Sequence, residues 1–234
     1  MESFWRRLKY YGIGFGIGLI LTFGFFNTRG CSWMPSNRVK ESMNARIWIM
    51  ESAAKLDFYQ DNHFTDKTFY EAIQEASVAF TDSKRHGKHK IYQLEIENDK
   101  GKAIPLLARM TDESALVELI ATQQNWKAFL KSKKQAADGT IIYAPKQKNL
   151  FYLPENRALQ EEFASIGIGN DDQLNLALQK ATFSYQNSNL KATPKPLLAF
   201  EITIAPNGKE WLKSRKLTVY CIWYKDKLKV LDLQ

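Results

Sequence analysis

The stretch 72–83 reads AIQEASVAFTDS, and the stretch 177–188 reads ALQKATFSYQNS. Four of these twelve positions are identical, and six more keep the size or the chemistry of the side chain. Self-similarity of this kind indicates a duplicated structural unit. The sequence therefore predicts one small architecture used twice within a chain of 234 residues.

Both copies carry the pattern of a capped helix followed by strands. Apolar residues recur at i, i+3, i+4 and i+7 from Phe69 to Ala76, and Leu174 to Ala181 repeats this spacing, which predicts an amphipathic helix in each copy. Thr65-Asp66 and Asn170-Asp171 are suitable caps. Alternation of apolar and polar residues after each helix predicts half-buried strands. The predicted fold class is α+β, with two tandem diverged units that each contain two helices and a three- to four-stranded antiparallel meander.

These patterns divide residues 35–234 into three parts. The first unit is predicted at 35–122 and the second at 153–234, with a connecting helix and hairpin at 123–152. Within the connection, the hairpin is predicted from Thr140 to Leu153. In the first unit, an apolar stripe predicts that Arg38 to Ala54 forms one helix ahead of the sheet.

Residues 1–30 are predicted to be a membrane anchor. Tyr10 to Phe26 is a run of seventeen residues without a charge. As a helix this run would be about 25 Å long, slightly short of a hydrocarbon core of about 30 Å. Trp5 and Trp33 flank it as interfacial anchors, which predicts a transmembrane helix at about 10–26. A cleaved signal peptide and lipid attachment at Cys31 are the alternatives.

The charges around this run predict an orientation and a localisation. Three cations lie within Arg6–Lys9, ahead of the apolar run. The positive-inside rule places that end in the cytoplasm and the bulk of the chain outside, in the bacterial inner membrane. Gly12 with Gly16, and Gly14 with Gly18, have the spacing that lets two helices approach, which is a possible self-association contact. Ordinary tolerance of glycine in membrane spans explains the same residues.

Composition excludes several classes of protein. The formal net charge is +8, of which +3 comes from the first 30 residues. The remainder is only mildly basic, which argues against nucleic acid as a partner. Two cysteines, Cys31 and Cys221, exclude a disulfide framework. Cys221 lies in an apolar run and is expected to be a small buried side chain.

One segment has an unusual density of cations and histidines. The stretch 83–90 reads SKRHGKHK and is predicted to be the loop between two strands. It is either a solvated loop or a binding patch for phosphate, nucleic acid or acidic lipid head groups. The two histidines have the spacing of a metal half-site without a third ligand, so no metal, cofactor or catalytic residue is predicted. The candidate anion- or lipid-binding residues are Lys84, Arg85, His86, Lys88, His89 and Lys90.

Part of the chain resembles a known family. Residues 72–78 (AIQEASV), 105–108 (PLLA) and 115–117 (ALV) carry the likeness. In these residues and in its N-terminal run, the chain is similar to a family of membrane-anchored bacterial domains of unknown function. The layout of that domain is distantly similar to the small ribonuclease-toxin folds of the RelE and barnase type. Members nearer to that layout carry a histidine in the first helix, and residues 44–48 (NARIW) have none.

Two functions follow as hypotheses from different classes. The first is a single-pass anchored, non-enzymatic protein whose duplicated α+β domain serves binding or assembly. The alternative is an enzyme that cleaves phosphodiesters, similar to a ribonuclease, or a degenerate relative of one. Cleavage of RNA that is lost on replacing His86 or His89 would distinguish the second from the first.

Overall fold

The computed structural model describes residues 2–29, 34–122, 124–131, 137–147, 150–204 and 215–234. The chain divides into two compact units, Met1–Glu41 and Ser42–Gln234. The first contains a long helix and the beginning of a second helix. The second contains a large mixed β-sheet with helices packed against it.

Seven helices lie within the described residues. Their lengths run from 6 to 28 residues. The helices are α1 (Glu2–Arg29), α2 (Pro35–Asn44), α3 (Ser52–Asn62), α4 (Asp66–Glu75), α5 (Trp126–Lys131), α6 (Arg157–Ser165) and α7 (Asp171–Gln179).

All eleven strands of the described chain belong to one sheet. Their spatial order is β2-β3-β4-β5-β1-β6-β8-β9-β10-β11-β7. The strands are β1 (Ile47–Glu51), β2 (Ser77–Lys84), β3 (His89–Glu97), β4 (Ala103–Thr111), β5 (Leu116–Ala121), β6 (Asp138–Tyr143), β7 (Phe151–Tyr152), β8 (Thr182–Ser184), β9 (Leu197–Ile204), β10 (Arg215–Tyr224) and β11 (Lys227–Leu233).

The two halves of the sheet have the same strand order. In the first half (β1–β5) the strands lie in the order β2-β3-β4-β5-β1, and in the second half (β7–β11) in the order β8-β9-β10-β11-β7. In each half the last strand pairs in parallel with the strand that precedes the two helices: β5 with β1, and β11 with β7. Strand β6 joins the halves, because it pairs antiparallel with both β1 and β8.

The two halves place their helices on opposite faces of the sheet. The pairings give the equivalent strands β2 and β8 opposite directions, although the order of strands is the same. Two units of the same handedness can have the same strand order but opposite strand directions only if one is turned over relative to the other. The helices of the two halves then lie on opposite faces of the sheet. In the first half, Trp48 stacks on Tyr70 of α4. Its neighbours Ile47 and Ile49 point the other way, into a core shared with Leu174 and other residues of the second half.

Strand β1 is therefore buried on both faces. Ile47, Trp48 and Ile49 are fully buried, and Met50 is nearly so. A strand covered on both sides is expected to be a continuous apolar run rather than an alternating one. The sequence IWIM at 47–50 fits that requirement.

Small local structures also recur in both halves. The Thr65 side chain accepts a hydrogen bond from the amide of Thr68 at the start of α4, and Asn170 caps α7 in the same way. After each helix, a serine bridges an irregular stretch between the first two antiparallel strands of that half. The Ser83 hydroxyl donates to the Ala79 carbonyl (2.6 Å) and accepts from the Gln93 amide (3.0 Å).

The second half repeats this bridge. The Ser188 hydroxyl donates to the Ser184 carbonyl (2.6 Å) and accepts from the Ala199 amide (2.9 Å). Ser83 and Ser188 close the two similar sequence stretches and are one of their four identical positions. The identity is thus explained by a backbone irregularity that the hydroxyl satisfies in each half.

Three expectations about the folded domain are wrong. The helix predicted from Arg38 to Ala54 ends at Asn44, and β1 follows it. The hairpin predicted from Thr140 to Leu153 does not form, because β6 and β7 pair with other strands. The two units are not separate meanders, since a parallel fifth strand joins the four antiparallel strands of each half and both halves share one mixed sheet.

The predicted transmembrane helix is also wrong. No helix within the described residues is long and apolar enough to cross a membrane. The run Tyr10–Phe26 has five glycines and two tyrosines among its seventeen residues. They contribute little hydropathy, and the run is shorter than the roughly 20 apolar residues that a span needs. The predicted membrane partner and the single-pass inner-membrane localisation are corrected with it.

The predicted glycine contacts within that membrane span lose their basis for the same reason. A Cβ built at Gly12, Gly14, Gly16 or Gly18 would meet no atom within 4 Å. These glycines therefore face open space on α1. Cys31, the alternative position for lipid attachment, lies outside the described residues.

Candidate functional site

The cationic segment lies at the tip of the β2–β3 hairpin. Lys84 is the last residue of β2, and His89 is the first of β3. Between them, Gly87 has a φ of +91°, a backbone conformation that favours glycine. We call residues 84–90 the basic loop. Arg85, His86 and Lys88 are exposed.

The cations of the basic loop differ in their partners. Lys90 forms an ion pair with Asp112, with 2.6 Å between Nζ and Oδ1. Lys84, Arg85 and Lys88 form no ion pair with any residue that the structure describes. The loop therefore carries three cations without an acidic partner among those residues.

The two histidines of the loop do not complete a metal site. Nδ1 of His89 lies 2.9 Å from the Thr111 hydroxyl, in hydrogen-bonding contact across the β3–β4 pair. Within the described ranges, no group of three His, Cys, Asp or Glu residues could hold a metal ion. His86 thus lies in the turn of the hairpin, and His89 is the first residue of the strand that follows.

A half-buried ion pair lies behind the basic loop on the same face of the sheet as His89. The strand registers place Ile91, Arg109 and Glu118 side by side on β3, β4 and β5. Arg109 and Glu118 form an ion pair, and their side chains are 31% and 12% exposed. The Phe129 ring lies 5.6 Å from the Arg109 guanidinium carbon. Burial lowers the pKa of Arg109, but the hydrogen bond and charge of Glu118 outweigh it, and the pKa is raised.

Tyr185 joins this ion pair from the second half of the chain. It is buried, and its ring packs over Gly139, where an added Cβ would lie 3.2 Å from Cε2 of the tyrosine. Burial and the nearby carboxylate of Glu118, to which the hydroxyl hydrogen-bonds, raise the pKa of Tyr185. We call Arg109, Glu118 and Tyr185 the polar cluster. It brings together residues 76 positions apart, from both halves of the sheet.

His89 connects the basic loop to the polar cluster. Its pKa is lowered by burial, then by the charges of Arg109, Lys88 and Lys84, whereas Glu118 raises it. The side chain is therefore neutral at neutral pH and lies in a positive electrostatic environment. An anion bound beside it would oppose that shift, because opposite charge favours the imidazolium form.

Sequence reasoning found the basic loop but missed the polar cluster. A local signal for it existed. Arg109 interrupts the apolar run PLLARM, and Glu118 interrupts LVELI, so each places a charge within a strand that is otherwise apolar. No sequence signal connects these two residues with Tyr185, because that contact depends on β6 joining the two halves.

The second half does not repeat the basic loop. Its β8–β9 connection contains Lys191 and Lys195, and Lys195 donates to the Trp223 carbonyl (2.7 Å). The register also places Ile222 beside Lys229 where the first half has Arg109 beside Glu118. The charged constellation thus belongs to the first copy alone. No protein-family model matches the chain, and no curated protein matches it.

Proposed function

We propose that this protein is a non-enzymatic binding protein that recognises a phosphate-bearing anionic group through the basic loop. The observation that carries the proposal is the set of three loop cations, Lys84, Arg85 and Lys88, without an acidic partner among the described residues. Like charges held together repel one another, and a bound anion relieves that repulsion.

The geometry behind the loop supports an anion rather than a general contact surface. His89 is on the same face as Arg109, and its pKa is lowered first by burial and then by the charges of Arg109, Lys88 and Lys84. Arg109 is held in place by Glu118 and is half-buried. A phosphate at the loop would thus meet the cations of the tip and, behind them, the Arg109 guanidinium paired with Glu118, which favours charge-assisted hydrogen bonds.

Calorimetric titration of the full chain with inorganic pyrophosphate tests the proposal. Replacing Lys84, Arg85 and Lys88 together with Gln should weaken binding by at least about tenfold, because charge-assisted hydrogen bonds are lost. The matched control replaces Lys100, Lys102 and Lys191 with Gln, which removes the same charge from exposed positions elsewhere. Equal weakening in both variants, or no binding to the unmodified protein, would show that the loop is only a solvated turn.

A second candidate function is phosphodiester cleavage, favoured by one arrangement. His89, Arg109 and Glu118 share a sheet face, and their charges act on one another. Such a set contains a group that can accept a proton and a cation that can stabilise a phosphorane-like oxyanion. Incubation of the protein with RNA distinguishes the candidates: products that disappear in His89→Ala support an enzyme, whereas intact RNA supports binding alone.

A further inference from the structure

A second cationic surface lies on the other half of the sheet, on strands that carry no residue of the basic loop. On β10, β11 and β7, the residues Cys221, Leu228 and Phe151 point into the core. The alternate residues point to the opposite face. There the registers place Lys229 between Ile222 and Tyr152.

Two tyrosines and three lysines form this surface, which we call the tyrosine–lysine patch: Tyr152, Lys195, Tyr224, Lys225 and Lys229. Tyr224 is 43% exposed. The ammonium groups of Lys195 and Lys225 lie 5.3 and 5.4 Å from the centre of its ring. Burial and the nearby Tyr224 raise the pKa of Tyr152, while Lys225 lowers it. The Tyr152 hydroxyl is therefore within electrostatic range of Tyr224 and Lys225.

The turn that presents Lys225 is unusual for its sequence. Lys225 and Asp226 both have left-handed backbone conformations, with φ values of 49° and 60°. A two-residue hairpin turn of this kind favours Asn-Gly, because a residue with a Cβ is strained there. Lysine is a poor residue for this backbone conformation, so the turn does not explain why position 225 is a lysine. The contact of its ammonium group with the Tyr224 ring does explain it.

Charge near the patch is predominantly positive. Lys227 pairs in register with Tyr224, next to the turn. The adjacent acid, Asp226, lies within electrostatic range of Arg46, whose pKa is lowered by burial and raised in part by the charges of Asp112 and Asp226.

We infer that the tyrosine–lysine patch binds single-stranded nucleic acid. Exposed aromatic rings on a sheet face offer stacking platforms for unpaired bases, and lysines around them neutralise the phosphates that link those bases. A base stacked on Tyr224 contributes more than a surface contact between a lysine and that ring, so Lys225 can leave the ring for a phosphate. The low overall charge does not oppose this, because the lysines are concentrated on one face.

The tyrosine–lysine patch shares no residue with the basic loop, so nucleic-acid binding there would be a function separate from phosphate binding at the loop. The basic loop lies on β2 and β3, whereas the patch lies on β7, β10, β11 and the segment before β9. The phosphate proposal predicts no role for Tyr224, and the nucleic-acid proposal predicts no role for the loop cations. Each can therefore fail while the other stands.

Fluorescence anisotropy of a labelled oligouridylate of about ten nucleotides, with the full chain, provides the test. Tyr224→Ala should weaken binding by about tenfold, and Tyr224→Phe should retain it, because stacking needs the ring and not the hydroxyl. Lys225→Asn should weaken binding by several-fold and reduce the salt slope by about 1. Asparagine suits the left-handed turn, so this variant should fold at least as well as the parent.

Controls separate the patch from general attraction of polyanions. Lys100→Asn removes an exposed lysine from another hairpin turn and should leave binding unchanged. Heparin carries charge without bases, so its binding should not respond to Tyr224→Ala. The inference is overturned if Tyr224→Ala binds the oligonucleotide like the parent, if uridine monophosphate binds as tightly as the strand, or if only the basic-loop variant loses binding.

Discussion

Asn175 closes the outer edge of the sheet, and replacing it tests how the second half ends. The hydrogen bonds of Leu228 and Leu150 show that β7 uses alternate residues to pair with β11. The N–H and C=O of Phe151 point outward, where a further strand would bind. Asn175 takes that place: its Oδ1 accepts from the Phe151 amide (3.0 Å), and its Nδ2 donates to the Phe151 carbonyl (2.7 Å).

The structure sets the expected size of the effect. Asn175→Ala leaves two backbone groups of Phe151 without partners, and Phe151 is fully buried. Each orphaned buried group costs about 1–3 kcal/mol. Alanine recovers up to about 0.7 kcal/mol of helix propensity within α7. We therefore expect the free energy of unfolding to fall by about 1–5 kcal/mol, a large share of the stability of a typical domain.

Urea unfolding of the full chain, followed by circular dichroism, measures this change. Leu176→Ala is the control, because Leu176 is the next residue of the same helix and is exposed. It should change the free energy of unfolding by less than about 0.5 kcal/mol. If Asn175→Ala stays within that same margin of the parent, Asn175 does not close the edge, and the reasoning is refuted.

Asn175→Asp adds a dependence on pH. A carboxylate can accept from the Phe151 amide but faces the carbonyl oxygens of Phe151 and Asp171, to which Nδ2 donates in the parent. Burial and these oxygens should raise the folded-state pKa above the unfolded value of about 3.9. The stabilising contribution of the protonated form is then present below the unfolded pKa and lost as pH rises through the folded pKa. The deficit relative to the parent should therefore shrink as pH falls, and a deficit that grows would contradict the assignment.

The remaining predictions concern the recurring bridge, the packing under Tyr185 and the titration of His89. Ser83→Ala and Ser188→Ala should each lower the free energy of unfolding by about 1–2 kcal/mol; very unequal losses in urea melts would contradict a shared device. Gly139→Ala should cost about 1–2 kcal/mol, and less in a Tyr185→Ala background, with full additivity as the contrary result. Because the pKa of His89 is lowered in the folded state, stability should fall as pH drops through its unfolded pKa of about 6.5. His89→Gln should remove that part of the pH dependence of the urea midpoint, and an unchanged profile would argue against it.

Elements with local signals were predicted well from the sequence. Helix α4 begins at Asp66 behind the Thr65 cap, and α7 begins at Asp171 behind Asn170, as the capping and periodicity patterns predicted. The antiparallel strands that follow each helix also lie where the alternation placed them. In these segments the local pattern and the tertiary fold require the same residues.

Elements defined by distant contacts were not predictable in the same way. Strand β1 is apolar at every position from Ile47 to Met50, so its spacing fits a helix stripe as well as a strand buried on both faces. Strand β7 has only two residues, and its parallel partner is about 77 positions further on. A short segment whose partner is remote carries no alternation to reveal it. The N-terminal run differs from its prediction for another reason: it lacks charge, but its five glycines and two tyrosines contribute little hydropathy.

The opposite orientation of the two halves explains why their charged faces differ. Strands β4 and β5 have one face that does not contact the first half's own helices. This face lies beside the core of the second half, because one half is turned over relative to the other. There Arg109 and Glu118 lie next to a segment that Tyr185 can reach. The corresponding face of β10 and β11 carries Ile222 and Lys229. The same scaffold thus offers two chemically different faces, an acid–base cluster in one half and a tyrosine–lysine surface in the other. Because the same strand order occurs twice with opposite orientation, each half has a face of its own chemistry.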